Sequence, residues 1–280
     1  MKNEIISYKA FDRNLRCYNN FQYEIGKSYS IDGEIKCCKH GFHACPEPAG
    51  VFNYYDIFTS RFALVKQSGI FDGWDGKICS SKIAIIKELS LKELIEHEIK
   101  WVINQFKPKD HSTIIDNLKL LLSTNLNILI TDTSPAKITY YDCTVCSVID
   151  NVCLDVLANG TNIYLSGNNN TISLVGSEST IFSLGTNTHI NLEGNYEQIV
   201  IFGNNSTVNL SGYGSYVDIK GNNCKISLSE KFCYFRATLG TIVFYFNHKE
   251  CQYSRIVDGK LLKPNIKYMV RDGKFIEIDD

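Results

Sequence analysis

Three thiol and two imidazole side chains lie close together near the amino terminus, in the sequence KCCKHGFHAC. They are Cys37, Cys38, His40, His43 and Cys45. Thiolates and imidazoles are common zinc ligands, and a cysteine beside a histidine can act as a nucleophile with its base. The stretch therefore raises three alternatives: a metal site, a nucleophilic site, or a strand that leads into a helix.

The spacing of these residues favours the strand and helix. Structural zinc sites bring ligands together from separated turns, often as paired CxxC motifs, and neither CCKH nor HAC has that spacing. Side chains alternate between the faces of a strand, so Phe42 and Ala44 should face one side and His43 and Cys45 the other. Pro46 is placed where a short helix could begin. We predict no metal here, and no third group is in view to orient a Cys–His pair.

Length and composition indicate a folded protein with two units. The chain has 280 residues, 44% hydrophobic and 21% charged, which is typical of globular proteins. Its 29 lysines and arginines balance 30 aspartates and glutamates, so counterion release would give little affinity for nucleic acid. The amino terminus has no apolar run suited to a signal peptide or a membrane helix, so we expect no membrane association and a cytoplasmic location. The 11 cysteines follow no compact disulfide framework and should be mostly reduced.

The second half of the chain repeats every nine residues. Consecutive units begin with glycine from Gly167 to Gly221, and two earlier units keep the apolar positions without the glycine. The sixth and eighth residues of most units are apolar, as in Ile172 and Leu174, which is the alternation of a short strand facing a core. We predict a β-solenoid over residues 149–229. The glycine–asparagine starts are predicted to be turns, because both residues tolerate positive φ.

The repeat resembles the nonapeptide of calcium-binding β-rolls, with one difference. Calcium-binding units carry an aspartate at the sixth position, whereas the units here carry isoleucine or valine, as at Ile190 and Val208. An aliphatic row replaces the carboxylate ligands that Ca²⁺ requires. The solenoid is therefore expected to fold without calcium.

The remaining segments differ in pattern from the repeats. Two apolar strands, RFALVKQSG and the more central KICSSKIAIIKEL, precede a helix that Ser90 and Glu93 open as a capping box, and another helix is predicted near residues 113–123. The aromatic C-terminal segment, with its Asp-Gly turns, predicts a β-rich cap over the open solenoid end. The predicted order is an α+β domain at 1–125, a linker or entry to the solenoid at 126–148, the β-solenoid at 149–229 and the cap at 230–280.

The chain resembles an uncharacterised family of phage and prophage proteins. The segments that carry the resemblance are YKAFDRNLRC, FQYEIGKSY, IKCCKHGFHAC, VFNYY, GTIVFYFN and KPNIKYMVRDGKFIEI. The resemblance covers nearly the whole chain and implies the same layout of N-terminal domain, repeat array and C-terminal β cap. It also implies an accessory role in the cytoplasm of a bacterial host cell, without implying an activity.

Residues 7–90 also resemble, more weakly, the small ADP-ribosyltransferases that modify rifamycin antibiotics. Such enzymes grip NAD⁺ with a His or Arg on the first strand, a Tyr or Ser on the second, and a later acidic residue that helps stabilise an oxocarbenium-like transition state. Here Lys9 takes the first position, His43 the second, and Asp72 or Asp75 the acidic one. Two of the three positions depart from the pattern, so no residue is assigned a catalytic role.

The resemblance implies a cleft sized for a nucleotide, with cations for phosphate and aromatic rings for a base. The candidate ligand-binding residues are Lys9, Arg13, His43, Tyr54, Tyr55, Arg61, Asp72 and Asp75.

Three functions follow from these observations. The first, which we favour, is a non-catalytic module that captures a host molecule such as a nucleotide immune signal, with NAD or another nucleotide as the ligand. The second is an NAD-dependent mono-ADP-ribosyltransferase, and the third is an architectural protein whose solenoid binds or mimics a host protein. A homo-oligomer is compatible with each, because the solenoid could fix the valency of the binding module.

The repeat pattern makes a direct prediction about Val208. Val208→Asp should destabilise the solenoid by an amount on the order of several kcal/mol, because it buries an unpaired carboxylate in an aliphatic row. Thermal melting followed by circular dichroism would measure the loss. A mainly helical spectrum for residues 140–280 would contradict the solenoid itself.

Overall fold

The structure is a computed structural model, and it describes residues 4–18, 20–74, 76–105, 127–229, 232–247, 250–271 and 274–279. The predicted helix near residues 113–123, Asp75 and the Asp-Gly turn at 272–273 lie outside the described residues. The chain divides into two compact units, Met1–Trp101 and Val102–Asp280. The first unit thus ends before the predicted domain limit at residue 125. Among the described residues, no helix combines the length and the apolar character needed to cross a membrane.

The N-terminal unit is mostly antiparallel sheet. Its strands are β1 (Glu4–Phe11), β2 (Ser28–Ser30), β3 (Phe42–Ala44), β4 (Arg61–Trp74) and β5 (Lys77–Leu89). β5 pairs with β4, β2 and β3, which confirms its predicted central place, and β1 pairs with β4. Tyr8 and Cys45 exchange two backbone hydrogen bonds of 2.7 and 2.8 Å. This bridge joins β1 to the end of β3 and closes a ring of four strands.

One α-helix follows the sheet, α1 (Leu91–Gln105). Its capping box is confirmed, because the Ser90 amide donates to Glu93 Oε2 at 2.8 Å and the Glu93 amide donates to Ser90 Oγ at 3.2 Å. Leu94 and Ile95 are fully buried, as the apolar spacing predicts. The helix expected after Pro46 is only a short 3₁₀ turn, Ala49–Asn53.

The C-terminal unit contains a β-solenoid of about six turns. Each turn takes two nine-residue units, because residues 18 apart in the sequence pair in register, as Ile163 does with Ile181. Consecutive strands alternate between two parallel sheets. The strands are β6 (Asn127–Ile130), β7 (Ala136–Ile138), β8 (Thr144–Ser147), β9 (Cys153–Val156), β10 (Asn162–Leu165), β11 (Thr171–Val175), β12 (Thr180–Ser183), β13 (His189–Glu193), β14 (Gln198–Ile201), β15 (Thr207–Ser211), β16 (Tyr216–Ile219), β17 (Lys225–Leu228), β18 (Tyr234–Arg236) and β19 (Ile242–Asn247).

Three more strands extend these sheets in antiparallel fashion, namely β20 (Glu250–Ile256), β21 (Lys267–Arg271) and β22 (Lys274–Ile278). β20 pairs with β19, while β21 pairs with β18 and β22. The first sheet therefore holds the even-numbered strands from β6 to β18 with β21 and β22. The second sheet holds the odd-numbered strands from β7 to β19 with β20.

The interior of the solenoid confirms the repeat pattern. Residues at the sixth and eighth positions, such as Ile172, Leu174, Val208 and Leu210, are at most 2% exposed. Strands β6, β7 and β8 belong to the same two sheets, so the stacking begins within the segment 126–148 that was predicted as a linker or entry.

The predicted reason for the leading glycines is wrong for most of them. The left-handed backbone lies at the third position of the unit, for example at Asn187 and Asn205, each with φ of 57°. The leading glycine is needed for space, because a Cβ at Gly203 would overlap the carbonyl oxygen of Gly185, one turn earlier. Close stacking of backbone turns, and not a positive φ, therefore selects glycine there.

In most units the fourth position carries a buried polar side chain, and several of these side chains accept a backbone hydrogen bond from the preceding turn. Asn170 Oδ1 accepts from the Val152 amide at 3.0 Å, and Ser206 Oγ accepts from the Thr188 amide at 3.1 Å. Glu197 is the carboxylic acid in this row and is buried. Its Oε1 has no hydrogen-bond partner, and burial raises the pKa of its carboxyl to about 8.

The outer faces of the two sheets differ. On the first sheet, the outward seventh position is buried at Tyr164, Phe182 and Val200. On the second sheet the same position is polar and at least partly exposed, with Asn209 donating to Asn191 at 2.8 Å. Of the two outer faces, the polar one on the second sheet is the accessible one.

Substitution of a leading glycine should destabilise the solenoid. Gly203→Ala should cost about 1–3 kcal/mol or more, because the added methyl meets rigid backbone that cannot move aside. Gly73→Ala is the control, since a Cβ there would meet only the Lys77 carbonyl oxygen at 3.9 Å. Thermal melting followed by circular dichroism should show a lower melting temperature for Gly203→Ala and no change for Gly73→Ala. Equal melting of both variants and the wild type would contradict the stacking explanation.

Candidate functional site

A cleft of about 780 Å³ lies within the N-terminal unit. Its walls come from β1, from the segments on either side of β2 and β3, from the 3₁₀ turn and from the start of β5. No Asp or Glu side chain is among the described residues that line it. The lining residues are Tyr8, Lys9, Ala10, Cys17, Tyr18, Phe21, Tyr23, Ser30, Ile31, Cys38, Lys39, His40, Gly41, Phe42, His43, Ala44, Cys45, Val51, Tyr54, Tyr55 and Lys77.

Aromatic rings form one wall of the cleft. Phe21 packs edge-on against Tyr23, with ring centroids 4.7 Å apart, and against Phe42 at 6.0 Å. Edge-to-face packing of this kind fixes each ring against its neighbour. The wall is thus a firm apolar surface against which a planar ring can stack.

Lys9 is a buried cation in this wall. The residue is only 7% exposed, and its Nζ donates to the carbonyl oxygen of His43 at 2.7 Å. The ammonium also lies over the rings of Tyr23 and Phe11, at 5.2 and 5.7 Å from their centroids. No described carboxylate forms an ion pair with it. Its charge is therefore balanced only by a carbonyl dipole and ring faces.

His43 is near two cations, Lys9 and Lys77. Its Nε2 accepts a hydrogen bond from the Cys38 amide at 2.9 Å, so this nitrogen carries no proton and the neutral ring is protonated at Nδ1. Burial, and then the charges of Lys9 and Lys77, hold the pKa of His43 below its usual value. Lys77 itself lies over the Tyr54 ring, 4.5 Å from the centroid. The imidazole is therefore neutral at physiological pH.

Two thiols of the opening stretch, those of Cys37 and Cys45, are not activated. Burial raises the pKa of Cys45 to about 11 and that of Cys79, on β5, also to about 11. Burial likewise raises the pKa of Cys37. A protonated thiol is a poor nucleophile and a poor metal ligand. Within the described part of the chain, no group of three His, Cys, Asp or Glu side chains is arranged to hold a metal ion.

The structure brings four of the predicted ligand-binding residues together. Lys9, His43, Tyr54 and Tyr55 all line the cleft. The residues come from β1, β3 and the end of the 3₁₀ turn, which the bridge between Tyr8 and Cys45 holds side by side.

The other predicted residues lie elsewhere. Arg61 forms a bidentate pair with Glu88, at 2.7 and 2.8 Å, and does not line the cleft. Arg13 is also outside the lining, and its carbonyl accepts a 3.3 Å bond from Arg61. Asp72 accepts a 2.7 Å hydrogen bond from the Cys37 amide and is not a lining residue. Asp75 lies outside the described residues.

Sequence reasoning missed several lining residues. Lys77 begins β5, and nothing in its local sequence distinguishes it from other surface lysines. Phe21 and Tyr23 alternate in FQYEIGKSY, a pattern that could have identified them as neighbours on one face. Cys38 was considered only for its thiol, whereas the structure uses its backbone amide.

Glu98, on α1, binds the 3₁₀ turn that forms part of the cleft wall. It is fully buried, and its Oε2 accepts a hydrogen bond from the amide of Ala49 at 2.8 Å, while Oε1 has no partner. Burial raises the pKa of this carboxyl to about 8, although the Ala49 amide opposes the shift. A neutral Glu98 thus holds the 3₁₀ turn that carries Val51.

Replacement of Glu98 should change the pH dependence of stability. Between the usual pKa of 4.5 and about 8, the folded state binds one proton more than the unfolded state, so the free energy of unfolding falls as pH rises, by up to about 1.4 kcal/mol per unit. Glu98→Gln keeps an acceptor for the Ala49 amide and cannot ionise, so its free energy of unfolding should not fall with pH for this reason. The variant should therefore become progressively more stable than the wild type from pH 5 to about pH 8.

The measurement is urea unfolding followed by tryptophan fluorescence. Both tryptophans, Trp74 and Trp101, lie in the N-terminal unit, so the signal reports that unit alone. Other titrating groups contribute equally to both proteins and cancel in the difference. A constant difference across the pH series would show that Glu98 is ionised in the folded protein.

Comparison with known proteins gives one match. Residues 5–97 match a family described as a domain of unknown function, DUF7666. No curated protein and no solved structure matches the chain. The matched residues include all five strands of the N-terminal unit and the first turns of α1. The N-terminal unit is therefore similar to a domain that carries no assigned activity.

Proposed function

We propose that the N-terminal unit is a binding module for a small anionic ligand with an aromatic ring, of the nucleotide class. The observation that carries the proposal is the cleft lining, which combines three lysines and two histidines with seven aromatic side chains and has no described carboxylate. Phosphate is recognised by such cations and a base by such rings. The volume of about 780 Å³ is in the range of small-molecule sites.

The buried ammonium of Lys9 gives the strongest physical argument. Burial of a charge is costly unless an opposite charge or several hydrogen bonds compensate it. The Lys9 ammonium has one hydrogen bond, to His43, and no ion pair with a described carboxylate. A ligand anion would supply the missing charge, so binding should relieve an existing cost in the free protein.

A module without catalysis fits this cleft better than a transferase. The transferases that residues 7–90 resemble use an acidic group at the reacting sugar. Of the two candidates for that role, Asp72 is bound to the Cys37 amide and does not line the cleft, and Asp75 lies outside the described residues. The buried thiols are protonated at neutral pH, so they are poor nucleophiles as well.

The proposal extends to the rest of the chain. As an accessory protein of phage type in a bacterial cytoplasm, it would capture a host nucleotide signal in the N-terminal cleft. The solenoid would serve as a scaffold, and β20, β21 and β22 would cap its open end, because unpaired strand edges invite aggregation. The exposed polar face of the second sheet is the surface available to a host protein.

The prediction concerns ligand-induced stabilisation. ADP-ribose, NAD⁺ or a cyclic dinucleotide should raise the melting temperature of the N-terminal unit, followed by tryptophan fluorescence, because a ligand that binds only the native state stabilises it by mass action. Adenosine, which lacks phosphate, should raise it less. Lys9→Met keeps an apolar chain between the rings and removes the charge. It should weaken binding by about 10- to 100-fold, in line with the loss of a charge-assisted hydrogen bond.

The matched control is Lys82→Met, an exposed lysine on β5, which should bind as the wild type does. Transfer of label from NAD⁺ to a host protein or small molecule would favour the transferase over the module. If no member of the panel binds more tightly than about 1 mM, equivalent to roughly 4 kcal/mol, the cleft proposal is wrong and a role for the solenoid surface is favoured.

A further inference from the structure

The hydrogen bond between Cys38 and His43 occupies two groups that an anion could use. The Cys38 amide donates to His43 Nε2 at 2.9 Å, so in the free protein this N–H is satisfied within the cleft wall and Nε2 carries no proton. Both residues line the cleft, together with Lys9 and Lys77. The wall thus contains a hydrogen-bond donor and an acceptor that are both occupied by their bond to each other.

We propose that an anion bound between Lys9 and Lys77 draws a proton onto His43, and that the protonated ring releases the Cys38 amide towards the ligand. The inference rests on the proposed function, since it assigns to the same cleft a coupling between ligand binding and proton uptake. The bound anion would then receive hydrogen bonds from two groups that face each other in the free protein.

Hydrogen-bond geometry links the protonation of His43 to the release of the Cys38 amide. Protonated Nε2 is a donor and can no longer accept from the Cys38 amide. The Cys38–His43 hydrogen bond is exposed, so water or the oxygen of a bound anion can accept from the released amide, and the anion forms the stronger, charge-assisted hydrogen bond. Cys38 also holds a left-handed backbone with φ of 64°, which costs a non-glycine residue about 1 kcal/mol or more. Release of its hydrogen bond would allow this strain to relax.

The charges around His43 set the direction of the coupling. Lys9 from β1 and Lys77 from β5 both disfavour the imidazolium in the free protein, after the effect of burial. Three thiols are also near it, Cys79 opposite it on β5, Cys38 in the preceding loop and Cys45 on its own segment. The carboxylate of Asp72, which pairs with Cys79 from β4 and accepts a hydrogen bond from the Cys37 amide, is the nearby anionic group. An anion between the two ammonium groups cancels their effect and favours the imidazolium. Binding should therefore take up a proton and strengthen as pH falls.

ADP-ribose is the probe for the test, because each phosphate of its diphosphate bridge has a single, strongly acidic oxygen and does not titrate near neutral pH. Calorimetry in buffers of different ionisation enthalpy should show uptake of up to one proton per ligand bound. As the pH is raised from about 5.5 to 8, the range in which histidine titrates, the dissociation constant should increase by up to tenfold per pH unit. His43→Gln keeps an acceptor for Cys38 and cannot be protonated, so its affinity should not depend on pH.

His40→Gln is the matched control. His40 also lines the cleft, but its Nε2 lies 2.9 Å from the carbonyl oxygen of Asp32, so this variant should keep the proton uptake. NMR of the His43 ring in the wild-type protein gives a second measurement, and its titration should move to higher pH when ADP-ribose is bound.

The outcomes separate the inference from the proposed function. Binding of ADP-ribose without proton uptake, or uptake that persists in His43→Gln, would overturn the coupling and leave the binding module intact. Absence of binding by ADP-ribose at every pH, with the rest of the nucleotide panel also failing to bind, would overturn both. Loss of uptake in His43→Gln but not in His40→Gln would support the inference.

Discussion

The candidate site depends on two backbone hydrogen bonds, those that Tyr8 and Cys45 exchange between β1 and the end of β3. They close the ring of strands and bring Lys9 within 2.7 Å of the His43 carbonyl. Without this bridge, the first strand and the GFHAC segment would be separate edges of an open sheet. The cleft, its buried cation and the neutral imidazole all follow from the closure, because it removes water from one side of each group.

Buried ionisable groups recur in both units. Asp218 forms ion pairs with Lys220 and Arg236, whereas three others have no ion pair among the described residues. Lys9, Glu98 and Glu197 are all buried, and each forms one hydrogen bond with the main chain. The two carboxyls lower the cost of burial by remaining protonated, since each has its pKa raised to about 8. The Lys9 ammonium is a cation to which a bound anion can add the charge partner that no described carboxylate supplies. This difference makes the lysine the functional candidate among the three.

The solenoid could be predicted from the sequence because its contacts repeat at a fixed interval of residues. An inward residue such as Ile172 pairs with the equivalent residue of the next turn, Ile190. The apolar alternation in one strand therefore predicts which residues of every other strand face the core. The role of the glycine was not readable in the same way. Glycine is required because its backbone closely approaches a residue 18 positions earlier. Local turn preferences depend only on neighbouring residues and do not predict that contact. Strands β6 to β8 were missed because their units lack the leading glycine and also keep the apolar pattern only in part, as with Ser147 at the eighth position of the unit 140–148.

The sequence by itself determined the period of the repeats, the strand alternation that separates Phe42 and Ala44 from His43, and the capping box of α1. These features depend on residues near each other in the chain or on a repeat of the same contact. Only the tertiary structure decided that Lys77 joins Lys9 at the cleft and that the Cys38 amide binds His43. It also decided that Arg61 is engaged by Glu88. Such pairings depend on strand closure between distant segments, and side-chain chemistry alone does not specify which distant segments meet.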